Sequence, residues 1–295
     1  MQHATRHSIF ILFVLLFVIT SSAILVYASG YRVTRRGDVV QTGILSVSGR
    51  PRDARMLLNK KLVANGLPFR ALRLIPGSYH VRVERDGYHA WEKTLSVYPR
   101  ETTFAVELTL WRVASPTPRG EPLARVEHPY TPVPPAVIAL MPRPASLTVL
   151  DEKDNRLLIW NRTGGGLFIV KPSADTPPLE LPMSAAVKPH VAWNPDLKQW
   201  LIATGSELWL LGTDGAATLI ERTSIPIHTA QFLGDRPYLL VHRGNVVQIM
   251  ELDDRDQRNV VTLDTRAAPR DVRVDPEVTE VVFTDDEGMW TVGIR

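Results

Sequence analysis

The chain has 295 residues, 44% of them hydrophobic, and 34 Lys and Arg stand against 31 Asp and Glu for a formal charge of +3. The hydrophobic fraction supports packed cores and excludes a wholly disordered chain, while the near-balance of interleaved charges gives no footing to nucleic-acid binding. With no cysteine, disulfides, zinc–thiolate sites, iron–sulfur clusters and thiol nucleophiles are excluded together.

The first element is the run SIFILFVLLFVITSSAILVY, residues 8–27, which contains no charged side chain. At about 1.5 Å per residue, a helix of that length crosses a hydrocarbon core roughly 30 Å thick. We expect a retained single-pass anchor, with the lipid bilayer as the partner of residues 8–27. The alternative is a cleavable secretory signal, for which Val26-Tyr27-Ala28 offers a cleavage site. Signal cores usually span only about 7–15 apolar residues, however, and this run continues through Ile24, Leu25 and Val26. Arg6 precedes the helix and Arg32, Arg35 and Arg36 follow it, a bias that favours a cytoplasmic C-terminal side.

After a juxtamembrane linker over residues 30–42, short alternating segments predict a compact β domain over 43–112. Gly43 to Val47 and Ala54 to Leu58 read as two strands joined in a hairpin by a polar turn at Ser48-Gly49-Arg50-Pro51. Leu72 to Ile75 leads into Pro76-Gly77, a pair suited to a type II turn with Gly at the positive-φ position. Tyr79, Val81 and Val83 then alternate with His80, Arg82 and Glu84, as in a half-buried strand. Asp86-Gly87 turns the chain into a strand expected to begin at Tyr88, and Lys93–Val97 with Thr102–Leu110 completes a small sandwich.

The segment from Leu74 to Tyr88, LIPGSYHVRVERDGY, resembles the L-x-P-G-x-Y-x-V-x-V-x-x-x-G-Y core of PEGA domains. Upstream the likeness is looser: Pro51-Arg52-Asp53-Ala54 stands where the naming Pro-Glu-Gly-Ala would be, and Asn59-Lys60-Lys61 replaces the usual Asp-Gly turn. The resemblance implies a non-enzymatic and exported module, often set between an anchor and a larger domain, and it names no ligand. On that ground we expect a cytoplasmic N-terminus and an extracytoplasmic body, against the local arginine bias.

Residues 113–145 hold Pro116, Pro118, Pro122, Pro129, Pro132, Pro134, Pro135, Pro142 and Pro144. Prolines at this spacing interrupt sheet and helix alike, so an extended connector is expected, with Val133, Val137, Ile138 and Leu140 able to pack against a neighbour. Residues 146–295 then show a repeat near 40 residues. Four units align through their second strands, at Arg156–Trp160, Gln199–Ala203, Pro237–Val241 and Glu280–Phe283, each flanked by a first and a third apolar strand. These units resemble β-propeller repeats of the broad class that includes WD40 and the periplasmic Tol-system propellers. Trp193-Asn194-Pro195-Asp196 is similar to the W-S-P-D turn of the latter, echoed by Val274-Asp275-Pro276-Glu277. Four blades are fewer than most closed rings contain, so the ring is small, completed by the Pro-rich region or another chain, or incomplete. The expected fold class is therefore all-β after one transmembrane helix, with a conventional sandwich as the alternative for 146–295.

No catalytic, cofactor-binding or metal-binding residue is assigned. G-x-S-x-G, H-E-x-x-H and P-loop signatures are absent, and His80, His89, His128, His190, His228 and His242 are dispersed. Arg162-Thr163-Gly164-Gly165-Gly166 joins two strands with no following helix, which makes it a hairpin turn and not a phosphate cradle. Asp253, Asp254 and Asp256 lack the other oxygen ligands and the glycine of an EF-hand loop. Trp160, Trp193, Trp200, Trp209 and Trp290 recur at positions that suit a blade core, the alternative being a carbohydrate-stacking surface. We expect a non-enzymatic, membrane-anchored prokaryotic envelope protein that binds an unidentified envelope protein or glycan. The alternatives are a cell-wall carbohydrate-recognition protein and, behind it, a propeller-based hydrolase.

Overall fold

A computed structural model describes residues 2–34, 36–120, 131–141, 146–172, 177–265 and 268–295, with side chains from residue 9 onward. Arg35, Pro122, His128, Pro129, Pro142, Pro144 and the side chain of Arg6 lie outside the described residues. The chain divides into two compact units, Met1–Asp86 with Ala90–Leu110, and Gly87–His89 with Trp111–Arg295.

In the first unit, helix α1 spans Gln2–Ala28. Its stretch Ile9–Ala28 has 20 residues, a mean hydropathy of 3.0 and nothing buried. Phe10, Phe13 and Phe17 each expose 65% or more of their surface. Leaving such a surface in water costs about 25 cal/mol per Å², so the helix is long and apolar enough to cross a membrane. A two-stranded hairpin follows, β1 (Tyr31–Val33) and β2 (Val39–Gln41).

The β domain of this unit is built from β3 (Gly43–Arg50), β4 (Arg55–Leu58), β5 (Lys61–Ala64), β6 (Phe69–Leu74), β7 (Gly77–Glu84), β8 (Trp91–Val97) and β9 (Thr102–Thr109). They form two sheets, β6-β3-β9 and β5-β4-β7-β8, with β3 and β9 parallel. Inward residues alternate as the period of two requires: Leu45 and Val47 on β3, Val81 and Val83 on β7, and Trp91, Leu95 and Val97 on β8 are all buried.

Three expectations for this domain are corrected. Strand β3 continues through Ser48-Gly49-Arg50, and β3 and β4 lie in different sheets, so no hairpin joins them. The actual hairpin joins β4 to β5 at Asn59-Lys60, with φ of 49° and 66°, the left-handed pair of a type I′ turn. Pro76-Gly77 likewise passes from one sheet to the other, and Gly77 at φ 152° departs from the roughly +80° of a type II turn. The strand after Gly87 begins at Trp91, while Tyr88 bridges Arg112 outside the named strands.

The second unit consists of four antiparallel four-stranded sheets. Before them in the chain come β10 (Thr117–Pro118) and helix α2 (Pro135–Leu140). Blade 1 is β11 (Leu147–Lys153), β12 (Arg156–Asn161), β13 (Gly166–Val170) and β14 (Leu179–Ser184). Blade 2 is β15 (His190–Asn194), β16 (Gln199–Ala203), β17 (Glu207–Gly212) and β18 (Ala217–Arg222). Blade 3 is β19 (Ile227–Phe232), β20 (Tyr238–Arg243), β21 (Val246–Glu251) and β22 (Val260–Thr262). Blade 4 is β23 (Arg270–Val274), β24 (Glu280–Thr284) and β25 (Met289–Gly293), with β10 as its outermost strand.

Since residues i and i+2 of a strand share a face, the central strand of each blade faces two neighbours. Leu158 and Trp160 meet Trp200 and Ile202 between blades 1 and 2, Leu201 and Ala203 meet Leu239 and Val241 between blades 2 and 3, and Tyr238 and Leu240 meet Val281 and Phe283 between blades 3 and 4. The remaining face of blade 1, with Leu157, Ile159, Phe168 and Val170, is packed by Val137 and Met141, joined by Val133. Among the described residues that core contains no side chain of blade 4. The Pro-rich stretch is therefore more than a connector. It supplies a closing strand to blade 4 and a helix that covers the face a neighbouring blade would occupy in a ring. Pro135 sits in the first turn of α2, where a missing N–H costs the helix nothing. Ile138 and Leu140 stay partly exposed, at 38% and 40%.

Candidate functional site

Trp160, Trp193, Trp200, Trp209 and Trp290 are blade-core residues, and the indole N–H of Trp160, Trp200, Trp209 and Trp290 finds an acceptor. Trp160, Trp200 and Trp209 are buried, and Trp193 and Trp290 pack against the same kinds of core. Trp200 Nε1 donates to Asp151 Oδ2 at 2.9 Å, linking blade 2 to blade 1. Trp160 Nε1 donates to the Ala185 carbonyl at 3.0 Å, and Trp290 Nε1 donates to Asp285 Oδ1 at 2.8 Å. The turn motif also has a structural role: Asn194 Oδ1 accepts the backbone N–H groups of Asp196 and Leu197 at 2.9 and 3.0 Å. In the echo, Asp275 accepts from Glu277, Thr279 and Glu280 backbone N–H groups and from the Thr279 hydroxyl. Burial pushes the Asp275 carboxyl up, yet the hydrogen bonds from Glu280, Thr279 and Glu277 together hold it below the ordinary carboxylate range.

Arg162 to Gly165 forms a strand-to-strand turn in which Gly165, at φ 72°, donates its N–H to the Asn161 carbonyl. Asp253 is engaged by the Arg255 guanidinium through both carboxylate oxygens, and Asp254 lies 3.8 Å from Arg258. Among the described residues no group of three or more His, Asp or Glu side chains is placed to hold a metal ion.

Two polar pairs were not legible as motifs. Antiparallel pairing sets Thr229 of β19 opposite His242 of β20, and this brings the His228 and His242 rings to 4.7 Å between centroids. Next in the chain, Arg243, only 8% exposed, pairs with Glu221 of blade 2. His242 is 5% exposed. Burial, then the neighbouring His228, lowers its pKa to about 4, against a hydrogen bond to the Gly244 backbone. The imidazole is thus neutral at pH 7. His242 Nε2, Arg243 Nε and Glu221 Oε2 are buried without a hydrogen-bond partner. The Arg243–Glu221 pair ties blade 3 to blade 2, while His242, the preceding residue of β20, lies on the opposite face of the strand.

Taken together, the fold is all-β after one apolar N-terminal helix, a two-sheet module followed by a four-bladed propeller-like array. Residues 42–113 match the PEGA domain. No curated protein matches the chain. Among solved structures, Hsv2 of Kluyveromyces lactis is similar at 11% identity and TM-score 0.37, covering 84% of this chain and 71% of that one. A streptogramin B lyase is similar at 11% identity and TM-score 0.36, covering 90% and 78%. The hydrazine synthase of Kuenenia stuttgartiensis is similar at 16% identity and TM-score 0.34 over 44% of this chain, which spans only 38% of that protein's length. These likenesses are too remote to bear on function.

Proposed function

We propose that this chain is a single-pass, membrane-anchored envelope protein whose propeller-like array is a non-catalytic platform for a protein partner. The observation that carries the reading is the order of parts: a fully exposed apolar helix, a PEGA module and four blades in one chain. A protein partner is favoured over a glycan because the indoles that would stack on sugar rings are spent inside the blades. A non-catalytic role is supported by the hydrogen bonding of the acidic and indole groups, which are engaged in turns and blade contacts.

The body is proposed to be extracytoplasmic. The native chain has no cysteine, so a single Lys188→Cys substitution at an exposed loop position gives a clean reporter; Ser173, in another expected turn, lies outside the described residues. Labelling of intact cells by a membrane-impermeant maleimide is the expected result. Labelling only after lysis refutes the envelope placement and makes the partner cytosolic.

A further inference from the structure

We propose that hairpin β1–β2 and the β6 edge of the PEGA module form a docking surface for anionic phospholipid headgroups, which lays the module on the bilayer instead of holding it away as a spacer. This rests on the reading of α1 as a retained anchor.

The junction between helix and module leaves little slack. The Gly30 carbonyl accepts both the N–H and the hydroxyl of Thr42, at 2.9 and 2.7 Å, and Gln41 Nε2 reaches the Ser29 carbonyl at 3.4 Å. Gly30 and Thr42, twelve positions apart, are thereby joined across a hydrogen-bonded loop. The end of the bilayer-crossing helix is thus tied to the residue that leads into β3, the strand beside the β6 edge.

That edge is aimed back at the helix by a local departure from regular sheet. The β3–β6 register shifts between Gly43 and Leu45, and near this bulge Arg73 adopts φ 57°. Bulges of this kind re-aim side chains, and a non-glycine residue held in the left-handed region points to a functional constraint. Here the Arg73 guanidinium comes to lie 4.2 Å from the ring centroid of Tyr27, in the last turn of α1. Tyrosines at the ends of spanning helices sit at headgroup depth, so a guanidinium stacked on Tyr27 is at the depth of the phosphates.

Around this point the surface combines the two features that hold a protein against an anionic membrane, apolar area and cationic charge. Val33, Val39 and Leu72 are 68%, 61% and 60% exposed. Arg32 and Arg36 accompany them on the hairpin segment, where Asp38 is the one acid in residues 29–42, and Arg70 is exposed on β6. Guanidinium groups pair with phosphate oxygens in bidentate fashion. The arginines after the helix therefore have a role as headgroup ligands in either leaflet, which separates them from the choice of topology.

The test uses the full chain, reconstituted in vesicles of phosphatidylcholine alone or mixed with phosphatidylglycerol, with one fluorophore at Val39→Cys, Leu72→Cys or Asp86→Cys. Asp86 lies past the far end of eight-residue β7, about 25 Å along the strand direction. Quenching by headgroup spin-labelled lipid is expected to be several-fold stronger at positions 39 and 72 than at 86. Phosphatidylglycerol should strengthen it and salt should weaken it. Arg32→Glu with Arg70→Glu should remove the dependence on lipid charge without changing thermal unfolding. Equal quenching at all three positions overturns the docking, and graded quenching indifferent to lipid charge overturns the headgroup assignment. Intact mass reports separately whether residues 2–28 are retained, so a cleaved helix and an undocked module give different results.

Discussion

Trp200→Phe tests whether adjacent blades are coupled through the indole nitrogen. Trp200 is wholly buried in the core between blades 1 and 2, and its N–H donates across the interface to Asp151. A hydrogen bond to a charged group contributes about 1.5–3 kcal/mol. The Asp151 side chain is 20% exposed and lies 3.3 Å from Lys153 Nζ, so water and the ammonium compensate in part and the lower end of that range applies. Shrinking the ring system adds about 1 kcal/mol of lost packing, for a total of about 2–3 kcal/mol. In a domain of roughly 150–250 residues each kcal/mol moves Tm by about 2–4 °C, which predicts a fall of about 4–12 °C. The assay is scanning calorimetry of the full chain in detergent, on Trp200→Phe, Asp151→Ala and the double variant. If the bond matters, the double variant should be about 1 kcal/mol less destabilised than the sum of the singles. Additivity within experimental error would refute the coupling and leave Trp200 as a space-filling residue alone.

Three other outcomes follow from the geometry. Gly87 has φ 79° with open space around a Cβ, so Gly87→Val should cost about 1–2 kcal/mol through backbone strain alone; a Cβ at Gly49 would meet the Leu108 carbonyl at 2.2 Å, and Gly49→Ala should cost about 3 kcal/mol by prising β3 from β9, a ranking checked by urea unfolding. His242 is depressed to about 4 from an ordinary 6.5, so the unfolded chain binds the proton first on acidification, and stability present above pH 6.5 is lost between there and pH 4, on the order of 2–3 kcal/mol. His242→Gln should flatten that slope in pH-dependent thermal melts, and an unchanged slope would contradict the burial argument. Asp275 acts in the same direction at lower pH: its carboxylate contributes stability above the unfolded pKa that disappears as the pH falls through the depressed folded value, and Asp275→Asn should weaken the acid limb of the same curve.

The elements that sequence patterning resolved best are those with strong periodic burial. Gln199–Ala203 matches β16 end to end because four consecutive residues of that strand are buried between two neighbouring cores, and the other three second strands were placed within two residues of their bounds. The fourth strands escaped notice, since β18 and β22 present mostly exposed or half-buried residues to solvent and an edge strand needs little hydrophobic alternation. Two-residue β10 carries no pattern at all; its pairing with β25 is fixed by a partner far along the chain. Sheet membership in the PEGA module was misjudged for a related reason: Pro76-Gly77 and Ser48-Gly49 look like turns locally, while the choice between hairpin and sheet crossing is made by tertiary packing. The His228–His242 contact and the Arg243–Glu221 pair left no signature because they are assembled by strand pairing and blade contact, not by spacing.

The closing strand imposes an order on biosynthesis. Thr117 and its partner Thr291 are 174 positions apart, and at about 5–20 residues per second the ribosome takes roughly 10–35 s to make the interval. For that time the outer position of the last sheet does not exist, and Thr117–Pro118 waits beside a nascent chain rich in unpaired edges. Proline offers no N–H to a stray strand, so the waiting segment presents one donor fewer than an ordinary edge. The chain thus carries the last fastening of blade 4 near the start of the domain, on a segment poor in donors.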